Sequence, residues 1–158
     1  MKVTKNEAVE TLQRGIEILI RQKEFNNYKE LSSVCGINYN TIKSWMSKRN
    51  IPKLKTLDNM CDNLQINTYE LFSRNPDFLP IKEIIVNNSR ERIRINIRKF
   101  LLENTRITIN DSVAVFEGEI SRDEYISYTR NSHGRSVPIH KLEIIACKLN
   151  VSISDLLR

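Results

Sequence analysis

Glycine and proline are scarce here, four of each in 158 residues, and that scarcity excludes whole classes of fold and site. Sandwiches and barrels need turn signals about every 8–12 residues; too few are present, and alternating apolar runs are few. The chain is therefore expected to be all-α. No glycine-rich loop is available to cradle a phosphate, and neither a nucleophile elbow nor a metal-ligand helix motif occurs, so no enzyme is expected. Cysteines are odd in number and widely spaced: Cys35, Cys61 and Cys147. They read as small buried hydrophobes in a reducing cytosol and not as a disulfide framework. His133 and His140 lack companions at ligand spacing, so neither a metal nor any cofactor is expected. No signal peptide and no apolar run near the ~20 residues of a membrane helix are found. A cytoplasmic protein with no membrane partner is the expectation.

Acidic side chains are also in deficit. Lys and Arg number 25 against 19 Asp and Glu, giving a net charge of +6 and a pI near 9.3, a balance that suits a polyanionic partner. Residues 1–78 hold 12 basic and 9 acidic side chains and residues 79–158 hold 13 and 10. Each half is thus +3, and any difference between the halves lies in placement.

What is present is most concentrated in residues 27–53, NYKELSSVCGINYNTIKSWMSKRNIPK. Asn27 and Glu30 have capping-box spacing and predict a helix start. Leu31, Val34 and Cys35 give that helix an apolar face, and Gly36 stands where the chain must reverse with positive φ. Asn38 is a suitable N-cap for a second helix. Thr41, Ile42 and Trp45 would face inward, leaving Tyr39, Asn40, Lys43, Ser44 and Lys48 outward. Such a face suits the major groove, where an Asn can pair with adenine while flanking polar and basic groups such as Asn38 and Lys43 hold phosphates.

This stretch resembles the Cro/cI-like (lambda-repressor-like) helix-turn-helix family of phage and bacterial repressors. The likeness lies in Ile37 after the turn glycine, the capped helix NYNTIKSW, and Pro52 before the next helix. It covers roughly residues 8–73 as a five-helix domain. The resemblance implies base reading by Tyr39, Asn40 and Ser44, and phosphate contacts by Tyr28, Lys48, Arg49, Asn50 and Lys53. Trp45 is bulkier than the aliphatic residue usual at its place, and the loop after the second helix is short and lacks its usual glycine.

The remainder of this domain reads as helical packing. Thr4 and Glu7 form another capping box ahead of Val9, Leu12, Ile16, Leu19 and Ile20. Leu54, Leu57, Met60, Cys61 and Leu64 repeat at helical spacing. Asn67 and Glu70 are expected to cap a short fifth helix ending in Leu71 and Phe72.

A shift of 85 residues pairs Leu54 with Ile139, Leu57 with Leu142, Met60 with Ile145, Cys61 with Ala146, Leu64 with Leu149, Ile66 with Val151 and Glu70 with Asp155. Such self-similarity marks a duplicated unit. With small gaps, Ile37 aligns with Ile120, Ile42 with Tyr125 and Trp45 with Tyr128. The expected organisation is two tandem five-helix domains, residues 1–73 and 87–158, joined by an apolar linker or short helix at 74–86. Asn88 and Glu91 would open the second domain, with Ile93, Ile97, Phe100 and Leu101 as its first buried stripe.

The second copy differs where it would meet DNA. Its helix, SRDEYISYTRN, places Asp123 opposite Asn40 and Ile126 opposite Lys43. A carboxylate repels the flanking phosphates and can only accept, as from the cytosine N4 amino group. Contacts remain open to Arg122, Ser127, Asn131, His133 and Arg135. Arg90, Arg94 and Arg98 line one stripe, read either as a solvated face or as a site for phosphate or an acidic partner.

Two functions compete. One is a sequence-specific transcription regulator, a repressor of phage or mobile-element type. It would bind double-stranded DNA, with a homodimer or the two modules of one chain supplying two half-sites. The other is a helix-turn-helix scaffold whose second domain binds and inhibits a protein partner, as an anti-repressor, an antitoxin or a nuclease inhibitor would. That second use does not exclude DNA binding by the first domain.

Overall fold

The computed structural model describes residues 7–78, 83–105, 116, 118–130 and 135–158, and every regular element among them is helical. The first half contains α1 (Glu7–Gln22), α2 (Tyr28–Cys35), α3 (Tyr39–Met46), α4 (Leu54–Leu64) and a 3-10 helix (Thr68–Phe72). The second contains α5 (Ser89–Phe100), a π-helical turn (Leu101–Thr105), α6 (Arg122–Thr129), α7 (Ile139–Lys148) and α8 (Ile153–Leu157).

α1 buries Val9, Leu12, Ile16 and Leu19, the stripe that its spacing predicts. It lies so close to the 3-10 helix that a Cβ on Gly15 would stand 2.0 Å from the Leu71 carbonyl oxygen. Only glycine fits that approach. α2 packs on α3 and α4, and Asn63 of α4 donates to the Cys35 carbonyl at 2.7 Å, satisfying the end of α2. In the second half Ile93, Ile97, Phe116, Ile120, Tyr125 and Tyr128 are buried, and the Phe116 and Tyr125 rings stack with centroids 5.5 Å apart.

The same local events recur along the chain. α4 is followed by Gln65 at φ 53°, and 85 residues later Asn150 follows α7 at φ 57°. Ile66 N–H donates to Cys61 O, and Val151 N–H to Ala146 O, both at 3.0 Å. Asn96 of α5 donates through Nδ2 to Leu156 O at 2.8 Å, and Leu156 stands 85 residues after Leu71, whose carbonyl oxygen crowds Gly15.

Several expectations are corrected. Val34 is half exposed, because an eight-residue α2 turns only Leu31 and Cys35 inward. Asn67 does not cap the fifth helix: Thr68 N–H is taken by the Asn87 side chain at 2.9 Å, and the Glu70 carboxylate accepts instead from Asp77 N–H. Cys35 and Cys61 are buried, but Cys147 is exposed, since it falls outside the α7 stripe of Ile139, Leu142, Ile145 and Ala146. The Thr4 cap and the linker residues Leu79 and Ile81 lie outside the described residues.

The described parts of the connector are clasped by the first half. The Gln22 amide donates to Pro76 O and accepts from Phe78 N–H, each at 2.9 Å, and Phe78 is buried. Further on, Gln65 accepts from Ile85 N–H at 3.1 Å. Asp62 accepts from both the backbone and the side chain of Asn87, at 2.6 and 2.9 Å. Ile84 and Val86 are exposed. Across the join, α1 packs on α7, α4 on α5, and the 3-10 helix on α8.

Candidate nucleic-acid interface

The Asn27 side chain accepts from Glu30 N–H at 3.0 Å and starts α2. Glu30 completes the box one residue early, accepting from Asn26 N–H and Nδ2 at 2.7 and 2.8 Å; the Asn26 backbone first, then its side chain, hold the carboxyl below its ordinary pKa. Gly36 reverses the chain at φ 76°, as its place requires, and Ser32 Oγ donates to Ile37 O across the turn. Asn38 accepts from Asn40 N–H at 2.8 Å and caps α3, so this predicted phosphate contact is already engaged in forming the helix.

Beneath α3, Ile42 and Trp45 are buried. At its far end Gln13 of α1 donates to Trp45 O and Met46 O at 3.0 and 3.2 Å. The helix is thereby fixed at both ends, with its polar face outward. Asn40 and Lys43 are exposed and Ser44 is half-buried. Together with Ser47 and Arg49 they line a cleft of ≈ 240 Å³. Ser44 Oγ donates to Thr41 O at 2.7 Å, and Asn50 Nδ2 donates to Ser44 Oγ at 3.4 Å. The Ser44 carbonyl accepts from Arg49 and Asn50 N–H at 2.9 and 3.3 Å, so Ser44 shapes the loop as well as facing the cleft.

Tyr39 stands between two ammonium groups, Lys29 at 5.6 Å and Lys43 at 5.9 Å from its ring centroid. This cation–π pairing orients the ring and concentrates positive charge at the start of α3. Lys48 occupies the loop position that lacks a glycine and takes a left-handed φ of 62° itself, at a cost of about 1–2 kcal/mol. Its ammonium lies 3.3 Å from Glu10 of α1; an exposed pair of this kind is worth under about 1 kcal/mol and yields readily to a phosphate. Arg49, Asn50 and Lys53 are exposed. Tyr28 instead packs its ring on the core, and burial first, then the charge of Glu17, push its hydroxyl pKa up.

Residues 15–77 match the family model of the Cro/C1-type HTH DNA-binding domain. This part of the chain is a Cro/C1-type helix-turn-helix domain. A domain of this kind supports a DNA-binding regulator. No curated protein and no solved structure matches the chain. The helix-turn-helix match begins within α1 and ends just before the buried Phe78, a few residues later at each end than the resemblance suggested.

The corresponding surface of the second half is built differently. Ser121 and Glu124 form a full capping box at the start of α6. Glu124 also pairs with Lys141 and accepts from Tyr128 Oη at 3.0 Å. Lys141 first, then Tyr128, hold its carboxyl well below the usual carboxylate range. Arg122, Asp123, Ile126 and Arg135 are exposed. Ser127 Oγ accepts from Arg135 N–H at 2.8 Å. Asn131 and His133 lie outside the described residues. In the arginine stripe, Arg94 is paired with Glu91 and Arg90 donates to Arg130 O at 2.9 Å, so two of its three members are committed within the protein.

Sequence reasoning missed Lys29, Ser47 and Gln13. Lys29 was within reach, since it follows Tyr28 in the first turn of a helix that abuts the recognition helix. Gln13 carried no local signal, because its partners lie 32 and 33 residues away. Among the described residues no group of three or more His, Cys, Asp or Glu could hold a metal ion, and no helix is long and apolar enough to cross a membrane.

Proposed function

We propose that the protein is a sequence-specific repressor of phage or mobile-element type, acting in the cytoplasm by occupying double-stranded DNA and excluding polymerase. The observation that carries this is Asn40, exposed at the second residue of a rigidly anchored α3 and flanked by Lys43, Ser44 and Arg49 around one cleft. A short amide there can pair with an adenine edge while the adjacent cations hold phosphates. The second half is a diverged copy of the first, a reading supported by the matching positive-φ residues after α4 and α7 and by the 85-residue register.

Selection of bound duplexes from a random pool tests this directly. The wild-type chain should enrich a motif, and Asn40→Ala should lose about 1–3 kcal/mol on that motif while barely changing affinity for random duplex. Equal losses on both would eliminate direct reading by Asn40. A second reading, a protein partner on α6, draws support from Asp123 and Ile126 exposed on one helix; capture of a partner abolished by Ile126→Lys would favour it.

A further inference from the structure

The contacts between the halves are reciprocal. Asp58 of α4 accepts from Ser89 N–H and Oγ at the start of α5, at 2.9 and 2.6 Å. Glu143 of α7 accepts from Ala8 N–H at the start of α1, at 3.3 Å. The 85-residue shift carries Asp58 to Glu143, and Ala8 and Ser89 both lie in the first turn of the first helix of their half, α1 and α5. Each half therefore uses the same α4/α7 carboxylate position to receive the first helix of the other. At the centre, the 3-10 helix packs on α8, its own counterpart, and Ser154 Oγ donates to Tyr69 O at 3.1 Å; residues 69 and 154 are again 85 apart. In an isologous interface i meets j where j meets i, and only near the two-fold axis does a position meet its own image.

We infer that the two halves pair about a pseudo-two-fold axis inside one chain, as two subunits of a homodimer would, so that the protein engages DNA as a single chain on an asymmetric site. α3 specifies bases on one side, and the α6 side, through Arg122 and Arg135, touches only backbone. The surface that a second copy would need is already occupied by the chain's own other half. The asymmetry follows from the two faces: Asn40 and Lys43 on α3 stand where α6 exposes Asp123 and Ile126. This rests on α3 being the base-reading element.

The test is sedimentation of the full-length chain, alone and with the duplex enriched from a random pool, together with the symmetry of the enriched motif. The expected result is a single chain of 18.5 kDa at tens of micromolar, one chain per duplex, and a motif with one specified half. A dimer in free solution, or two chains on a palindrome, would overturn the intrachain pairing while leaving DNA reading intact. One chain on a palindrome would overturn the asymmetry alone, because α6 would then read bases as well. A single-chain mass with no enriched motif would uphold the pairing and remove base reading.

Discussion

Glu143 should make the stability of this protein fall as pH rises toward neutrality. Its carboxylate is buried where α7 meets α1. Oε2 accepts from Ala8 N–H, Oε1 faces no donor among the described residues, and Glu7 is its acidic neighbour. Burial first, then the hydrogen bond and charge of Glu7, push its pKa up from 4.5 to about 7, with Glu10 adding to the effect and the Ala8 N–H opposing it. A folded-state pKa above the unfolded one means that the folded state holds the proton more tightly. The stabilising, protonated form is thus fully present below about pH 4.5, and its contribution is lost as pH rises through 7. The separation corresponds to about 3 kcal/mol at 1.36 kcal/mol per pH unit. That is an upper bound, because slight opening of α1 hydrates the carboxylate before global unfolding. Glu143→Gln keeps the shape, removes the charge and can donate to Glu7. Urea midpoints measured from pH 4.5 to 8.5 should show the variant gaining on wild type by about 1–3 kcal/mol, most of it between pH 5 and 7.5. A pH-independent difference would refute the reasoning.

Two further substitutions separate packing from binding. Gly15→Ala gains about 1 kcal/mol of helix propensity but drives a methyl to 2.0 Å from a backbone oxygen; a net loss of about 2 kcal/mol, seen as a lowered Tm, is expected, and an unchanged or raised Tm would refute the close approach. Lys48→Gly relieves the left-handed strain at φ 62°, so stability should rise by about 1 kcal/mol. The same variant should weaken binding to all duplexes alike and lower the salt slope by about 0.9; an unaltered slope would remove Lys48 from the interface.

Local chemistry was legible in the sequence where the partners are neighbours. Asn27, Gly36 and Asn38 act within a few residues, and the structure places a cap, a positive-φ turn and a cap at those positions. Asn88 and Ser121 open α5 and α6 in the same way. Legibility failed where a distant group intervened. Asn67 and Glu70 have capping-box spacing, but the Glu70 carboxylate accepts from Asp77 N–H and Asn87, 19 residues on, takes Thr68 N–H, while Glu70 N–H reaches only the Asn67 backbone carbonyl. The left-handed Lys48 gives no sequence signal, since the residue normally chosen for such a conformation is glycine. Asp58 and Glu143 gave no signal in the sequence; that both are buried, and face opposite first helices, is a property of the packed halves. Ser44 read as a groove contact, and its second task of holding the loop needed coordinates.

The connector gripped by Gln22, Gln65 and Asp62 bears on how such a regulator responds to its own abundance. When separate subunits must meet before binding, occupancy at low copy number climbs with the square of concentration, and a threshold results. A tether converts that meeting into an intramolecular event at an effective concentration on the order of millimolar, far above any cellular level of a scarce regulator. Under the proposed intrachain pairing, occupancy at low copy number would follow concentration in direct proportion, and the response would be graded, without a threshold.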